Sequence, residues 1–307
     1  MAPTTQARRV VDPVLTQTAR GYVHPEHIAS ALMPVVTVPV RGFKRLEFGK
    51  ESFRRYNTRR APGGRVPDVM FGYEGQPAQL HQHALSGKVP IEHQEDAQRQ
   101  PGIDLGSEAV ADVQQIISLE VEIETAELVR NPAKYSANHI VALSGADKWN
   151  DDGSDPLTVV LDGMETIRQT IGLRPNTLEV PAQVLAKLRR HPKIREHFKH
   201  TTPDNITVGM LQTYFGIANI LVGDAVYADD QGQMHDVWGT DVLLAYVAQQ
   251  RRARVPSFGW TYRLQNHPVV EQPYFDKDTR SWKYPVLDEL SPELVGPDAG
   301  ILIQGAV

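Results

Sequence analysis

Between Arg41 and Arg65 the chain carries nine basic residues, Arg41, Lys44, Arg45, Lys50, Arg54, Arg55, Arg59, Arg60 and Arg65, against two acids, Glu47 and Glu51. Glycine and proline punctuate the same stretch, with a turn-forming run at Ala61–Pro67 (APGGRVP). Soon afterwards the sign reverses. Between Ser107 and Arg130 six acids, Glu108, Asp112, Glu120, Glu122, Glu124 and Glu127, stand against Arg130 alone. A long basic loop and a long acidic helix on one chain attract copies of that chain to each other. The pattern points to assembly more than to catalysis.

The two segments predict different local structure. Leu46 and Phe48, then Phe53 and Tyr56, continue as one strand, and Val69, Phe71 and Tyr73 alternate as a returning strand. An isolated two-stranded ribbon is marginal in water, and nothing next to it in sequence offers support. Residues 107–130 read as a helix, with Ser107 as its N-cap, early acids suited to the dipole, and Asn131-Pro132 as its stop. Val110, Val113, Ile116, Ile117, Val121 and Leu128 form an apolar stripe, and Glu120, Glu124 and Glu127 fall inside its C-terminal half. Carboxylates at such positions require partners.

Elsewhere the chain alternates. Residues 1–40 are punctuated by prolines and read as an arm, with Pro34–Val40 as an edge strand. Residues 133–156 read as loop. A helix over Leu157–Ile171 ends at Gly172, and a strand over Thr177–Val180 follows. Next come a basic helix over Pro181–Lys199 with Pro181 at N1, a helix over Thr207–Phe215 and a strand over Ile217–Val222. Val237–Val247 is apolar. Residues 255–275 and 281–287 read as long strands, and Ala299–Val307 as a short one. The expected class is α+β, with an α/β unit between flanking long strands.

Composition excludes several chemistries. With no cysteine among 307 residues, disulfides, thiol nucleophiles and cysteine-based zinc sites are out. No apolar run reaches membrane-spanning length, and residues 1–20 lack the core of a secretory signal. Gly87-Lys88 lacks the remainder of a phosphate loop, and Val255 stands where a nucleophile elbow needs glycine. His24, His27, His81, His83 and His93 are read as solvated rather than as metal ligands, so no catalytic, cofactor or metal residue is expected. The basic run Arg54, Arg55, Arg59 and Arg60, with Phe53 and Tyr56, admits a solvated face or a nucleic-acid contact. The acidic helix favours a protein contact instead, with Glu120, Glu124 and Glu127 as one target.

This order of parts resembles the major capsid protein of tailed bacteriophages. Local phrases are similar too: Trp149–Pro156 (WNDDGSDP), Pro175–Leu178 (PNTL), Val180–Val184 (VPAQV), His191–Lys193 (HPK) and Val222–Tyr227 (VGDAVY). The resemblance implies the tailed-phage capsid shell fold. Its parts would be an N-terminal arm (1–40), an extension-loop β-ribbon (41–95), a peripheral domain (96–156 and 260–298) and an α/β axial domain (157–259, with 299–307 returning). The peripheral domain would hold the long spine helix at about 107–130 and the long β-strands.

The resemblance further implies a structural subunit without enzymatic activity or cofactor. Copies would form pentamers and hexamers of an icosahedral head around double-stranded DNA, touched weakly and without sequence preference. Portal and decoration proteins would be further partners, the membrane would not, and the head would assemble in the bacterial host cytoplasm. Some members carry a long cleaved scaffolding segment. This chain starts almost directly with the arm, which implies a separate scaffold protein or an earlier cleavage. Some members crosslink an extension-loop lysine to an asparagine; Lys44, Lys50 and Lys88 are available, nothing selects one, and no crosslink is expected. The alternatives are an encapsulin-like compartment shell, a metal-dependent hydrolase using histidine and carboxylate residues, and a nucleic-acid-binding module.

Overall fold

The computed structural model describes residues 10–46, 59, 75–99, 104–199, 205–249 and 256–307. Two sheets organise it. In the six-stranded sheet, β1 (Val35–Val38) runs parallel to β11 (Gly259–Leu264), and β11 pairs antiparallel with β14 (Ser281–Leu294). β12 (Val269–Val270) and β13 (Tyr274–Asp276) continue along that side of β14. On its other side β14 pairs over ten positions with β4 (His81–Pro90). The N-terminal edge position of β1 agrees with its flanking prolines.

The five-stranded sheet has the order β5 (Ile140–Ala142), β15 (Gly300–Gln304), β10 (Val242–Ala245), β6 (Thr177–Pro181), β7 (Asn219–Gly223). It packs with α5 (Pro156–Ile171), α6 (Ala182–Leu188), α7 (Pro192–Phe198) and α8 (Val208–Phe215) around the largest core. A small hairpin, β8 (Val226–Ala228) with β9 (Met234–Asp236), lies off the sheet. The basic stretch enters as β2 (Gly42–Leu46) and returns as β3 (Gly75–Gln79), its antiparallel partner.

Where local signals are complete, sequence and structure coincide. Asp155 caps α5 through Thr158 N–H, Pro156 opens it, and Gly172 ends it at φ 71°. Thr207 caps α8, and Gly216 ends it at φ 68°.

Several expectations are corrected. The arm is not simply extended: it holds α1 (Pro13–Gly21), capped by Asp12, and α2 (Ala29–Leu32). Pro13 at N1 starts a helix there instead of preventing one. Residues 181–199 are two helices, not one. His191 precedes Pro192 and is held extended at ψ 127°, which breaks the helix, and Pro192 rather than Pro181 takes the first helical turn. The stretch 255–275 is divided among β11, β12 and β13. β14 continues past residue 287 to Leu294, through Pro285 and Pro292. A strand proline still accepts, as the Pro285 carbonyl does from Glu271 N–H at 3.0 Å. Residues 133–156 contain β5, three residues long, which pairs with the C-terminal strand.

The long helix α4 (Leu105–Arg130) begins two residues before the expected start, with Asp104 rather than Ser107 as its cap. It crosses β4 closely because Gly87 has no side chain: a Cβ there would stand 2.9 Å from Ala109 Cβ. The helix serves two cores in succession. Val110, Val113 and Ile117 pack with α1, β4 and β14; Ala126 and Val129 join the large core. At 100° per residue these sets lie nearly half a turn apart, about 160°. One continuous stripe therefore does not exist. Ile116 is 55% exposed, Glu120 and Glu127 are exposed, and the fully buried carboxylate is Glu122. α3 (Ile91–Gln98) connects β4 to α4.

Candidate assembly interface

The base of the basic ribbon is fixed to its own subunit. Arg41 forms a two-pronged bond to Glu289, with Nε at 2.5 Å from Oε2 and Nη2 at 2.8 Å from Oε1. Arg45 Nη1 donates to Glu293 Oε2 at 2.7 Å. Glu289 and Glu293 project from one face of β14, as residues four apart on a strand do. Phe43 adds an aromatic contact to Tyr262, centroids 4.4 Å apart. Beneath lies a small core of Val38, Leu80, Trp260, Tyr262, Leu264 and Val295. The expectation that the ribbon lacks support is thus corrected at its base. The sequence signal was two bases and two acids at matching spacing, but 248 residues separate each pair.

Beyond Leu46 the expected contact residues divide. Arg59 is exposed, while Arg54, Arg55 and Arg60 lie outside the described residues, as do Phe48, the expected turn at 61–67 and the returning strand from Val69 to Tyr73. The acidic residues are all placed. Glu120, Glu124 and Glu127 share a side of α4, with Glu124 half-buried between the exposed other two. Burial holds the Glu124 carboxyl above the usual carboxylate range; His83 and His81 oppose this, and Glu120 and Glu127 add to it. His83 Nε2 stands 3.8 Å from Glu124, a weak partner within the same subunit.

Glu122, which the sequence reading left without a role, is a central tie. Its carboxylate accepts from Ile28 N–H at 2.9 Å, Ala29 N–H at 2.8 Å and Trp238 Nε1–H at 2.8 Å. One side chain thereby joins the arm, the long helix and the loop after β9. Burial still raises its carboxyl against those three bonds.

The histidines disperse. His24 stacks on His27, His27 Nδ1 lies 2.7 Å from Ser118 Oγ, His81 and His83 sit on β4, and His93 is on α3. Among the described residues, no group of three or more His, Asp or Glu is placed to hold a metal ion. Burial, with His24 beside it, lowers the His27 imidazole from 6.5 to about 4. The unfolded chain takes up that proton near pH 6.5 and the folded chain only near 4, so stability should fall as pH drops through this window. Thermal midpoints of the His27→Asn variant should show a shallower slope there than the parent; parallel profiles would refute the assignment.

Among the described residues no helix is long and apolar enough to cross a membrane. Comparison with known proteins gives a consistent set. The family described as phage major capsid protein E matches residues 134–271. The major capsid protein of Burkholderia phage BcepMu is 39% identical over 306 residues, 97% of each chain. The crystal structure of a phage-related protein from Bordetella bronchiseptica superposes with a TM-score of 0.84 at 44% identity, covering 97% of this chain and 98% of that one. A virus-like particle protein from Pyrococcus furiosus has a TM-score of 0.57 at 12% identity, over 94% of this chain and 96% of that one, a likeness of fold alone.

Proposed function

The chain belongs to the phage major capsid proteins, as a structural subunit of the capsid, and from that premise we propose how its charged elements join one subunit to the next. Copies meet as pentamers and hexamers of an icosahedral head enclosing double-stranded DNA, with weak, non-specific contact to the packaged DNA. Residues 157–259 with 299–307 are the axial domain around each capsomer axis. Residues 96–156 and 260–298 are the peripheral domain, 1–40 the arm and 41–95 the extension loop. A separate scaffold protein, a portal and decoration proteins complete the head, which assembles in the host cytoplasm. The role of the chain is structural and includes no catalytic step.

One observation carries the interface: the ribbon base is bound within its subunit by Arg41 and Arg45, while Lys50, Arg54, Arg55, Arg59, Arg60 and Arg65 follow beyond it. We assign the loop to a neighbouring subunit, with Arg54, Arg55, Arg59 and Arg60 directed at acidic groups including Glu120, Glu124 and Glu127. An exposed pair contributes about 0.2–1 kcal/mol, so strength comes from repetition over the shell. Reversing two charges in every copy, Arg54→Glu with Arg55→Glu, should raise the protein concentration needed for assembly at least several-fold and leave subunit stability unchanged. Light scattering and electron microscopy measure this, and unchanged assembly would refute the electrostatic contact. A cargo-holding shell of the encapsulin type would rest on likeness of fold alone, whereas the capsid reading rests on 39% identity across the chain.

A further inference from the structure

We infer that the free edge of β4 is a β-pairing dock for the basic loop of a second copy; this rests on the shell reading above and deepens it. β14 is paired on both sides, so β4 closes the sheet. At ten residues β4 is long for an edge strand, where about 5–6 is common. Among the described residues, the backbone groups of residues 81–89 bond only to β14, apart from the Gly87 carbonyl, which accepts a long bond of 3.4 Å from the neighbouring Ser86 Oγ. Natural edges are usually blunted by proline, bulges or charge. Here Pro90 stands only at the far end, and Lys88 is the one lysine, arginine or carboxylate in the strand.

The flank of this edge is built from α4. Ala109 meets Gly87 of β4, and at 100° per residue Ala109, Ile116, Glu120 and Glu127 fall within about 40° of each other. The side of α4 that touches β4 therefore carries Ile116, Glu120 and Glu127. Leu85 lies on the same face of β4 as Gly87 and is 42% exposed; Ile116 is 55% exposed. Together these make an apolar ledge with an acidic rim. A strand added to β4 would lay alternate side chains on it. The fitting strand is basic with interspersed aromatic residues, which describes Phe53, Arg54, Arg55, Tyr56, Arg59 and Arg60.

Direction assigns the strand to a second copy. The ribbon base climbs β14 from Glu289 toward Glu293, whereas β4 runs down it from Leu290 to Ser281. The ribbon base of a subunit thus points away from that subunit's own β4 edge. Twenty-eight residues, 47–74, that leave and return to one base can reach at most roughly 45 Å, most of the width of a neighbour of this size.

Amide hydrogen exchange of unassembled subunits and closed shells tests the dock. In subunits, about half of the amides over residues 81–90 should exchange rapidly, because alternate residues of an edge strand lack a ladder bond. In shells these should slow about tenfold or more. Equal exchange in both states overturns the dock, and leaves the charge-reversal result to decide the electrostatic contact separately. The occupant is identified by disulfide trapping, which the absence of native cysteine makes unambiguous. Shells carrying Leu85→Cys together with Ser52→Cys, Asn57→Cys or Thr58→Cys should give covalent ladders between subunits under oxidation. Protection without a ladder at any of these positions, as a scaffold segment would give, overturns the assignment to a second copy.

Discussion

Glu122→Ala should unfold at markedly lower urea concentration than the parent, with a loss of about 3–5 kcal/mol. The substitution removes the acceptor of three buried donors, Ile28 N–H, Ala29 N–H and Trp238 Nε1–H. Each buried donor left unmade costs about 1–3 kcal/mol, and relief from burying the carboxylate offsets part of the sum. Glu122→Gln should fall between, because its amide keeps one oxygen and turns an N–H₂ toward the donors. The arm should loosen first, with faster proteolysis before Ala29. A loss below about 1 kcal/mol would show that α2 is held by Leu32 and Met33 in the core and not by the carboxylate.

Arg41→Ala should be the next most damaging change, at about 2–4 kcal/mol. Glu289 is 2% exposed, and its other contacts include Gln82 at 3.4 Å and His267 at 3.6 Å, both longer than the Arg41 bonds. The arginine side chain is itself 56% exposed, so water reaches part of the vacated site and holds the loss below that of a fully enclosed pair. Arg41→Lys should recover only part, since an ammonium cannot make the two parallel bonds. Pairing Arg41→Met with Glu289→Leu should recover most of the stability, as apolar replacement of a buried pair commonly does. If the double variant is no better than Arg41→Ala, the damage lies in packing rather than in an unpaired charge. Chemical denaturation of all four proteins separates these outcomes.

Legibility followed the range over which each signal acts. The ends of α5 and α8 were readable because cap, first-turn proline and terminal glycine lie within a few residues of the helix they bound. The charge contrast was readable because each sign is contiguous. The same local logic was available at Asp12-Pro13 and was outweighed by the number of prolines in the arm, so α1 was missed. α4 was found, but one stripe was drawn on a helix that turns different faces to two cores. That put Ile116, Glu120 and Glu127 inside and left Glu122 without a role. No periodicity rule detects such a switch, because the second core is assembled from strands far along the chain. The Arg41–Glu289 and Arg45–Glu293 pairs were out of reach for the same reason. The three residues of β5 carry too little pattern to stand apart from loop until β15 lies beside them.

The most direct test of the account is a cryo-electron microscopy map of assembled particles in which residues 47–74 are traced from Leu46 to Gly75. The account predicts closed shells in which this segment lies on an adjacent subunit, extended along its β4 with arginines at Glu120, Glu124 or Glu127. A segment that turns back onto its own sheet, with the β4 edge of its neighbours unoccupied, would contradict it.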